Sequence, residues 1–341
     1  MTAIYADPRC LEHRAPGHPE RPERMQAALA GLREDEADYG WPDVRPADLS
    51  YVERVHSAEA VRLITDLAKS GGGWVDSDTF VVPPSYDAAL LAAGGALQAT
   101  SDVLAGREQN AFVIVRPPGH HATRTRAMGF CLFNNVGVAA QWALDEGGAQ
   151  RIAVLDVDVH HGNGTQDIFY DRPDVLYYST HQYPFYPGTG RVEDVGRNDG
   201  AGATVNVPLA AGSGDEVFLD ATRRVLAPAV RRFEPDIILV SLGFDAHWAD
   251  PLAQMQLSTD GYREILAQIA RLADETCAGK LVFLLEGGYD LKVIEAGARM
   301  AGSLLAGKAP PPDPIGAAPL GREPAASMAA IEAARQVHQL P

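Results

Sequence analysis

Two aspartates and two histidines follow an apolar segment in the stretch LDVDVHHGNGTQ, residues 155–166. Side chains two residues apart on a strand share a face, so Asp156, Asp158 and His160 are predicted to point the same way. Carboxylates buried without partners cost several kcal/mol, so this face requires a cation or a dense hydrogen-bond network. A metal ion is the simpler explanation. The alternative is that the aspartates cap helices or pair within the core and that the histidines fill it.

Polar residues also follow three other predicted strands. The segments RPPGHHA, GFDAHWADP and EGGYD each come directly after an apolar run and supply imidazoles, a carboxylate and a phenol. Ligands of open α/β sheets bind beyond the carboxyl ends of the strands, so these side chains are expected at one edge. Asp158 and His160, with Asp245 as a third ligand, would leave one position open, which is typical of catalytic rather than structural zinc.

Apolar runs that alternate with helical segments position these residues. Strands are predicted at 111–115, 152–159, 175–180, 204–209, 236–242 and 280–285, and helices at 86–104, 136–145, 216–233 and 260–275, with a kink at Pro228. This alternation predicts a mostly parallel sheet with helices on both faces. We expect one catalytic domain over 1–308, then a Pro-rich connector and a short C-terminal helix at 327–340 within the segment 309–341.

Composition excludes several functional classes. The chain has 341 residues, 46% of them hydrophobic, and a formal net charge of -16, which suits a large core and argues against broad nucleic-acid binding. No apolar run reaches the roughly 18 residues of a membrane span, and no basic and apolar leader is seen at the start, so we expect a cytoplasmic protein with no membrane partner. The three cysteines form no CxxC pair, which argues against a cysteine zinc site. A homo-oligomer is left open.

The motifs resemble those of one enzyme superfamily. RPPGHHA, GFCLFNN, LDVDVHHGNGTQ, PGTG, GFDAHWADP and EGGYD, in this order, are similar to the zinc-dependent histone deacetylase and acetylpolyamine amidohydrolase superfamily. The resemblance covers about residues 1–305 and is closest to class II deacetylases and the bacterial deacetylase-like amidohydrolases. It implies the three-layer arginase-like fold, in which helices flank an eight-stranded, mostly parallel sheet.

The resemblance also implies roles for six residues. Asp158, His160 and Asp245 would bind one catalytic zinc ion, in agreement with the strand argument. His120 and His121 match the tandem histidines of the family, and His121 is the expected general base. Tyr289 matches the phenol that donates to the substrate carbonyl oxygen.

Four further residues are implied around this centre. Asp156, Ser179 and Thr180 match residues that enclose one or two structural potassium ions, although a hydrogen bond that Asp156 accepts from His120 alone remains an alternative. Asn163 stands where class I enzymes have an aspartate. Without that charge, the pKa of His121 is expected to be lower, which favours its role as a base.

The substrate path is predicted from the same resemblance. Phe130 and Tyr186 match the aromatic pair of a narrow tunnel, and Asp78 lies where a rim residue can accept hydrogen bonds from the substrate. Leu252 stands where polyamine-selective relatives carry a glutamate, so a lysine-like acylated amine is favoured. Two motif glycines, Gly129 and Gly288, complete the predicted substrate-binding set.

Four functions follow from these patterns. We favour a zinc-dependent deacylase acting on ε-acetyl-lysine or a similar acylated amine. The alternatives are an acetylpolyamine or small-amide amidohydrolase, a binuclear hydrolase of the arginase type and a non-catalytic module that binds acyl-lysine.

Overall fold

A seven-stranded parallel sheet lies at the centre of the computed structural model, which describes residues 1–35, 37–319 and 323–341. The strands of this part of the chain are β1 (Thr2–Tyr5), β2 (Gly73–Trp74), β3 (Phe80–Val81), β4 (Asn110–Val113), β5 (Ile152–Asp156), β6 (Val175–Gln182), β7 (Thr204–Leu209), β8 (Ile237–Leu242) and β9 (Leu281–Leu285). The parallel sheet has the order β1-β4-β9-β8-β5-β6-β7.

The α/β fold class predicted from the sequence is confirmed, but the expected eight strands are one too many for the described residues. The two strands outside the parallel sheet, β2 and β3, pair with each other as an antiparallel hairpin and therefore do not extend it. The sequence pattern missed β1, which has only four residues and pairs with β4 at the sheet edge. It also placed the end of β5 three residues too late.

Helices surround the sheet. They are α1 (Pro22–Arg33), α2 (Leu49–Val55), α3 (Ala58–Lys69), α4 (Ser85–Leu104), α5 (Asn135–Asp145), α6 (Asn163–Phe169), α7 (Asp215–Ala221), α8 (Ala227–Phe233), α9 (Thr259–Cys277), α10 (Leu291–Leu305) and α11 (Ala325–Val337). A π-helical turn at Thr222–Leu226 joins α7 to α8 just before Pro228, whose missing N–H cannot continue the α-helical hydrogen-bond pattern.

The C-terminal helix packs on the main body of the protein. Helix α11 lies against β7 and buries Ile331 and Ala334 in the same hydrophobic core as the sheet. The helix begins and ends two to three residues before the predicted 327–340. The domain boundary at residue 308 stays a prediction. Within the described residues, no helix is both long and apolar enough to cross a membrane.

The strand order explains how distant segments meet. Strands β4, β9, β8 and β5 are consecutive neighbours in the sheet, and all of them run parallel. Their carboxyl ends therefore lie side by side, although they are far apart in the sequence. The four polar segments identified from the sequence follow these four strands.

Candidate metal centre and its cavity

Two carboxylates and one imidazole converge just beyond β5 and β8. His160 Nδ1 lies 3.1 Å from Asp158 Oδ1 and 3.2 Å from Asp245 Oδ2, and the three residues offer ligand atoms within 4.8 Å of one another. Asp158 and Asp245 are at most 1% exposed. The chain has left the sheet after Asp156, so the two ligands from this segment meet Asp245 through a turn rather than along a continued strand.

The donor atoms fit a bound cation. Asp245 Oδ2 is buried and lies 3.2 Å from His160 Nδ1, but among the described residues it accepts no hydrogen bond of good geometry. Burial lowers the pKa of His160, but Asp158 and Asp245 outweigh burial and raise it to about 10. Negative charge is therefore concentrated where the three side chains meet, and a divalent cation would neutralise it.

The backbone around the triad is packed closely enough to fix the carboxylates. Gly287 N–H donates to Asp158 Oδ2 at 2.7 Å, and Val159 N–H donates to Asp245 Oδ1 at 3.0 Å. A Cβ atom at Gly287 would collide with both carboxylates, so only glycine allows the backbone to approach this closely.

His120 lies beside the triad and is held by Asp156. Its Nδ1 is 3.1 Å from Asp156 Oδ2, and its Nε2 is 3.9 Å from Asp158 Oδ1. Burial lowers the pKa of His120, but Asp156 and Asp158 raise it to about 10, so the imidazole is positively charged at neutral pH.

His121 is held in the neutral form with one nitrogen free. Its Nδ1 lies 2.8 Å from Asn163 Oδ1, and Asn163 Nδ2 is directed to Met128 Sδ, which leaves the amide oxygen facing the imidazole. Nδ1 therefore donates and Nε2 keeps its lone pair. The pKa of His121 is well below its ordinary value, first because of burial and then because of the positive charges of His120 and His160. The lowered pKa of His121 has the direction expected from the sequence, although burial, rather than the lack of an aspartate at position 163, is the main cause.

A cavity of about 230 Å³ is lined by His120, His121 and His160. Of the predicted substrate-binding residues, Phe130, Tyr186, Leu252, Asp78 and Gly129 line it, whereas Gly287 rather than Gly288 contributes to its wall. Gly129 and Phe130 both have positive φ angles, a turn that directs the Phe130 ring into the cavity.

Phe185 forms an aromatic wall that was not predicted from the sequence. Phe185 lines the cavity and stacks on His160, with ring centroids 5.3 Å apart and planes inclined by 19°. Its position next to Tyr186 in the segment FYPGTG was the available signal. Three aromatic rings therefore surround the path to the triad, and they suit an aliphatic chain.

Tyr289 also lines the cavity, and two residues hold its backbone. Asp250 Oδ2 accepts the N–H of Tyr289 at 2.6 Å, and its Oδ1 accepts the N–H of Leu252 at 2.9 Å. Arg24 donates to the Gly288 carbonyl at 2.5 Å, and its guanidinium lies 4.9 Å from the Tyr289 ring centroid. The sequence motifs did not indicate that Asp250 supports the phenol.

Tyr289 is able to donate a hydrogen bond. Burial raises its pKa well above 10, although Arg24 lowers it, so the phenol stays protonated at neutral pH. Within the described residues, its hydroxyl has no hydrogen-bond partner, so it is available to a group that enters the cavity.

The residues predicted to enclose potassium are adjacent, and the side chains of Asp156 and Ser179 already have hydrogen-bond partners. Asp156 pairs with Ser179 in the β5–β6 register, and Thr180 follows on the same strand. Asp156 Oδ2 lies near Tyr177 Oη at 3.2 Å as well as His120, and Ser179 Oγ is 2.9 Å from His181 Nδ1. These hydrogen bonds account for the burial of Asp156, and the potassium sites stay a prediction.

Comparisons with known proteins agree on one family. Residues 18–305 match the family described as histone deacetylase domain. The chain is 41% identical over 297 residues to a probable deacetylase of Archaeoglobus fulgidus, covering 86% of this chain and 82% of that protein. It is also 41% identical over 309 residues to a histone deacetylase-like amidohydrolase of Pseudomonas aeruginosa, covering 84% and 81%. The crystal structure of the HDA15 HD domain matches with a TM-score of 0.90 at 36% identity, covering 99% of this chain and 94% of that one.

Proposed function

The chain belongs to the histone deacetylase family, and we propose that it is a zinc-dependent deacylase. It would hydrolyse the amide of an ε-acetyl-lysine or a similar acylated amine to a free amine and a carboxylate. The observation that carries this proposal is the convergence of Asp158, His160 and Asp245 at a buried point beside His121 and Tyr289. The relatives described as deacetylases and amidohydrolases support hydrolysis of an amide.

The proposed metal site has three protein ligands. Asp158, His160 and Asp245 would hold the ion, and His160 is also part of the cavity wall, so the ion would be reached from the cavity. When bound there, zinc supplies a Lewis acid that polarises the amide carbonyl and acidifies a water molecule.

The two tandem histidines have different tasks. His121 Nε2 carries the free lone pair, so it accepts the proton of the attacking water and later returns it to the leaving amine. His120 is held by Asp156 and stays charged, so it stabilises the negative charge that develops next to it. The Asn163 carbonyl fixes the tautomer of His121 and does not take its proton.

The phenol of Tyr289 stabilises the reacting carbonyl oxygen. As the water adds to the amide carbon, this oxygen becomes an oxyanion, and Tyr289 Oη donates a hydrogen bond to it. Phe130, Phe185 and Tyr186 exclude water and hold the aliphatic part of the substrate. Collapse of the tetrahedral intermediate breaks the C–N bond and releases the amine, which carries the proton from His121.

The substrate is proposed to resemble acyl-lysine rather than an acylpolyamine. Leu252 lies in the cavity wall and supplies no charge for a second amine. Asp78 also lines the cavity and can accept a hydrogen bond at its rim. The cytoplasmic location, the absence of nucleic-acid and membrane partners and the structural potassium ions stay predictions.

Metal titration tests the proposal. Chelator-stripped protein should be inactive on a fluorogenic acetyl-lysine amide, and one equivalent of zinc should restore full turnover, whereas a binuclear hydrolase would need two. Asp245→Asn should weaken zinc binding at least tenfold, and the exposed control Asp274→Asn should not. Turnover by metal-free protein, or unchanged zinc affinity in Asp245→Asn, would contradict the proposal. A panel with acetylated polyamines and small acyl amides then identifies the preferred amine.

A further inference from the structure

A further buried carboxylate, which is neither a metal ligand nor part of the cavity lining, lies next to the centre. Glu286 is the residue that follows β9 and is 1% exposed. Its carboxylate reaches the loop that follows β4. None of the sequence patterns assigned a role to it.

The Glu286 carboxylate accepts hydrogen bonds from the backbone of the tandem histidines. Its Oε2 accepts the N–H of Gly119 at 2.7 Å and the N–H of His120 at 3.2 Å, and its Oε1 accepts the hydroxyl of Ser241 at 3.2 Å. Ser241 belongs to β8, so one side chain connects three of the strand ends that form the site. The separation of 167 residues between Glu286 and Gly119 explains why no local pattern detects this contact.

The same loop is held from its other side. The carbonyl of His120 accepts the N–H groups of Gly164 and Thr165, at 3.0 and 3.1 Å, at the start of α6. The N–H of His120 therefore binds Glu286 while its carbonyl binds α6. Without the carboxylate, two buried N–H groups would lose their acceptor, so the backbone at residues 119 and 120 would be free to shift.

From this geometry we propose that Glu286 is a positioning residue: its carboxylate fixes the backbone of Gly119 and His120 and thereby sets the imidazoles of His120 and His121 against the reacting group. The proposal rests on the proposed function in that His121 is the base. The Glu286 carboxylate binds Gly119, His120 and Ser241, and Glu286 is not among the residues that line the cavity, so its removal should affect the chemical step more than substrate binding. Small displacements of a catalytic group can lower the rate about 100-fold.

Two substitutions separate positioning from charge. Glu286→Gln keeps the shape, since its amide oxygen can accept both N–H groups and its NH₂ can donate to Ser241. Glu286→Ala removes all three hydrogen bonds. Asn110→Ala serves as the control for lost stability: Asn110 is buried and donates to the Leu305 carbonyl at 2.9 Å, but it lies at the opposite end of β4.

Steady-state kinetics and amide exchange are measured for all four proteins with zinc bound. Glu286→Ala should lower kcat on the order of 10- to 100-fold with KM within about threefold, and Glu286→Gln should recover kcat to within about threefold of wild type. Hydrogen–deuterium exchange in peptides containing residues 119 and 120 should accelerate about tenfold or more in the alanine variant only. Asn110→Ala should leave both kcat and this exchange unchanged.

Three kinetic results would overturn the proposal: a kcat in Glu286→Ala equal to that of the control, an effect confined to KM, or a loss in Glu286→Gln as large as in the alanine variant. The exchange measurement does not depend on turnover. If wild-type protein hydrolyses no acyl amide, the proposed function fails, and unchanged exchange in Glu286→Ala would refute the positioning role separately.

Discussion

Removal of one hydroxyl from the cavity should abolish most of the catalysis without disturbing the fold. In Tyr289→Phe the ring stays, together with its contacts to the Arg24 guanidinium at 4.9 Å and the Phe130 ring at 6.0 Å. Within the described chain the lost hydroxyl has no hydrogen-bond partner, so no protein group is left unsatisfied. The free energy of unfolding should therefore change by less than about 0.5 kcal/mol.

The kinetic effect should be much larger. One donor to a developing oxyanion is worth about 3 kcal/mol, or roughly 100-fold in kcat. Because the hydrogen bond strengthens only as the carbonyl oxygen gains charge, kcat should fall while KM stays within about threefold. The assay is turnover of a fluorogenic acetyl-lysine amide by zinc-loaded protein, accompanied by a thermal unfolding curve.

The matched control is Tyr51→Phe, which removes an exposed phenol hydroxyl that donates to Glu146 at 3.0 Å, far from the cavity. It should leave kcat unchanged. A Tyr289→Phe enzyme with kcat within threefold of wild type, or with the loss confined to KM, would refute the role of this phenol in the chemical step. A loss of more than about 2 kcal/mol in stability would show that the hydroxyl supports the fold.

Two further predictions concern selectivity and stability. Leu252→Glu should raise the ratio of kcat/KM for a cationic acetylpolyamine to kcat/KM for a neutral acetyl-lysine amide about 3- to 10-fold at low salt. Leu252→Gln should leave this ratio unchanged. The same ratio in both variants would show that charge at this position does not select the amine. Burial lowers the pKa of His56 from 6.5 to about 4, so the unfolded chain binds a proton below pH 6.5 that the native state does not. The stabilising contribution of His56 is thus present above pH 6.5 and lost as the pH falls towards 4. In urea unfolding, the free-energy difference between wild type and His56→Gln should shrink by about 2 kcal/mol from pH 7.5 to pH 5.0, and a constant difference would contradict this.

The sequence was most informative where function requires residue types that a buried sheet would otherwise exclude. Asp158, His160 and Asp245 stand at the ends of apolar runs, and a parallel sheet brings such ends to one edge. Their meeting could be predicted without knowing the strand order. The length of β5 could not be predicted. The spacing of Asp156, Asp158 and His160 in the sequence is the same whether the strand continues or, as in the structure, ends at Asp156.

Short or unusual elements were also hard to predict. Strand β1 has four residues and gains its hydrogen bonds from β4, which begins more than 100 residues later. Its existence therefore depends on a partner that no local window contains. The number of strands in the parallel sheet could not be predicted for the same reason. Strand pairing alone decides that β2 and β3 form a separate hairpin instead of joining the sheet.

The sequence by itself determined the fold class and the polar side chains that gather at one edge of the sheet, because hydrophobic periodicity and polar residues at strand ends are local properties of the chain. Only the tertiary structure decided what holds those side chains in place. Glu286 contacts a backbone 167 residues away, Arg24 contacts one 264 residues away and Asp250 contacts one 39 residues away. Each of these contacts joins a side chain to a distant N–H or C=O group, and every residue type carries the same backbone. The backbone partner of such a side chain therefore cannot be identified from the sequence, and folding alone brings the two groups together.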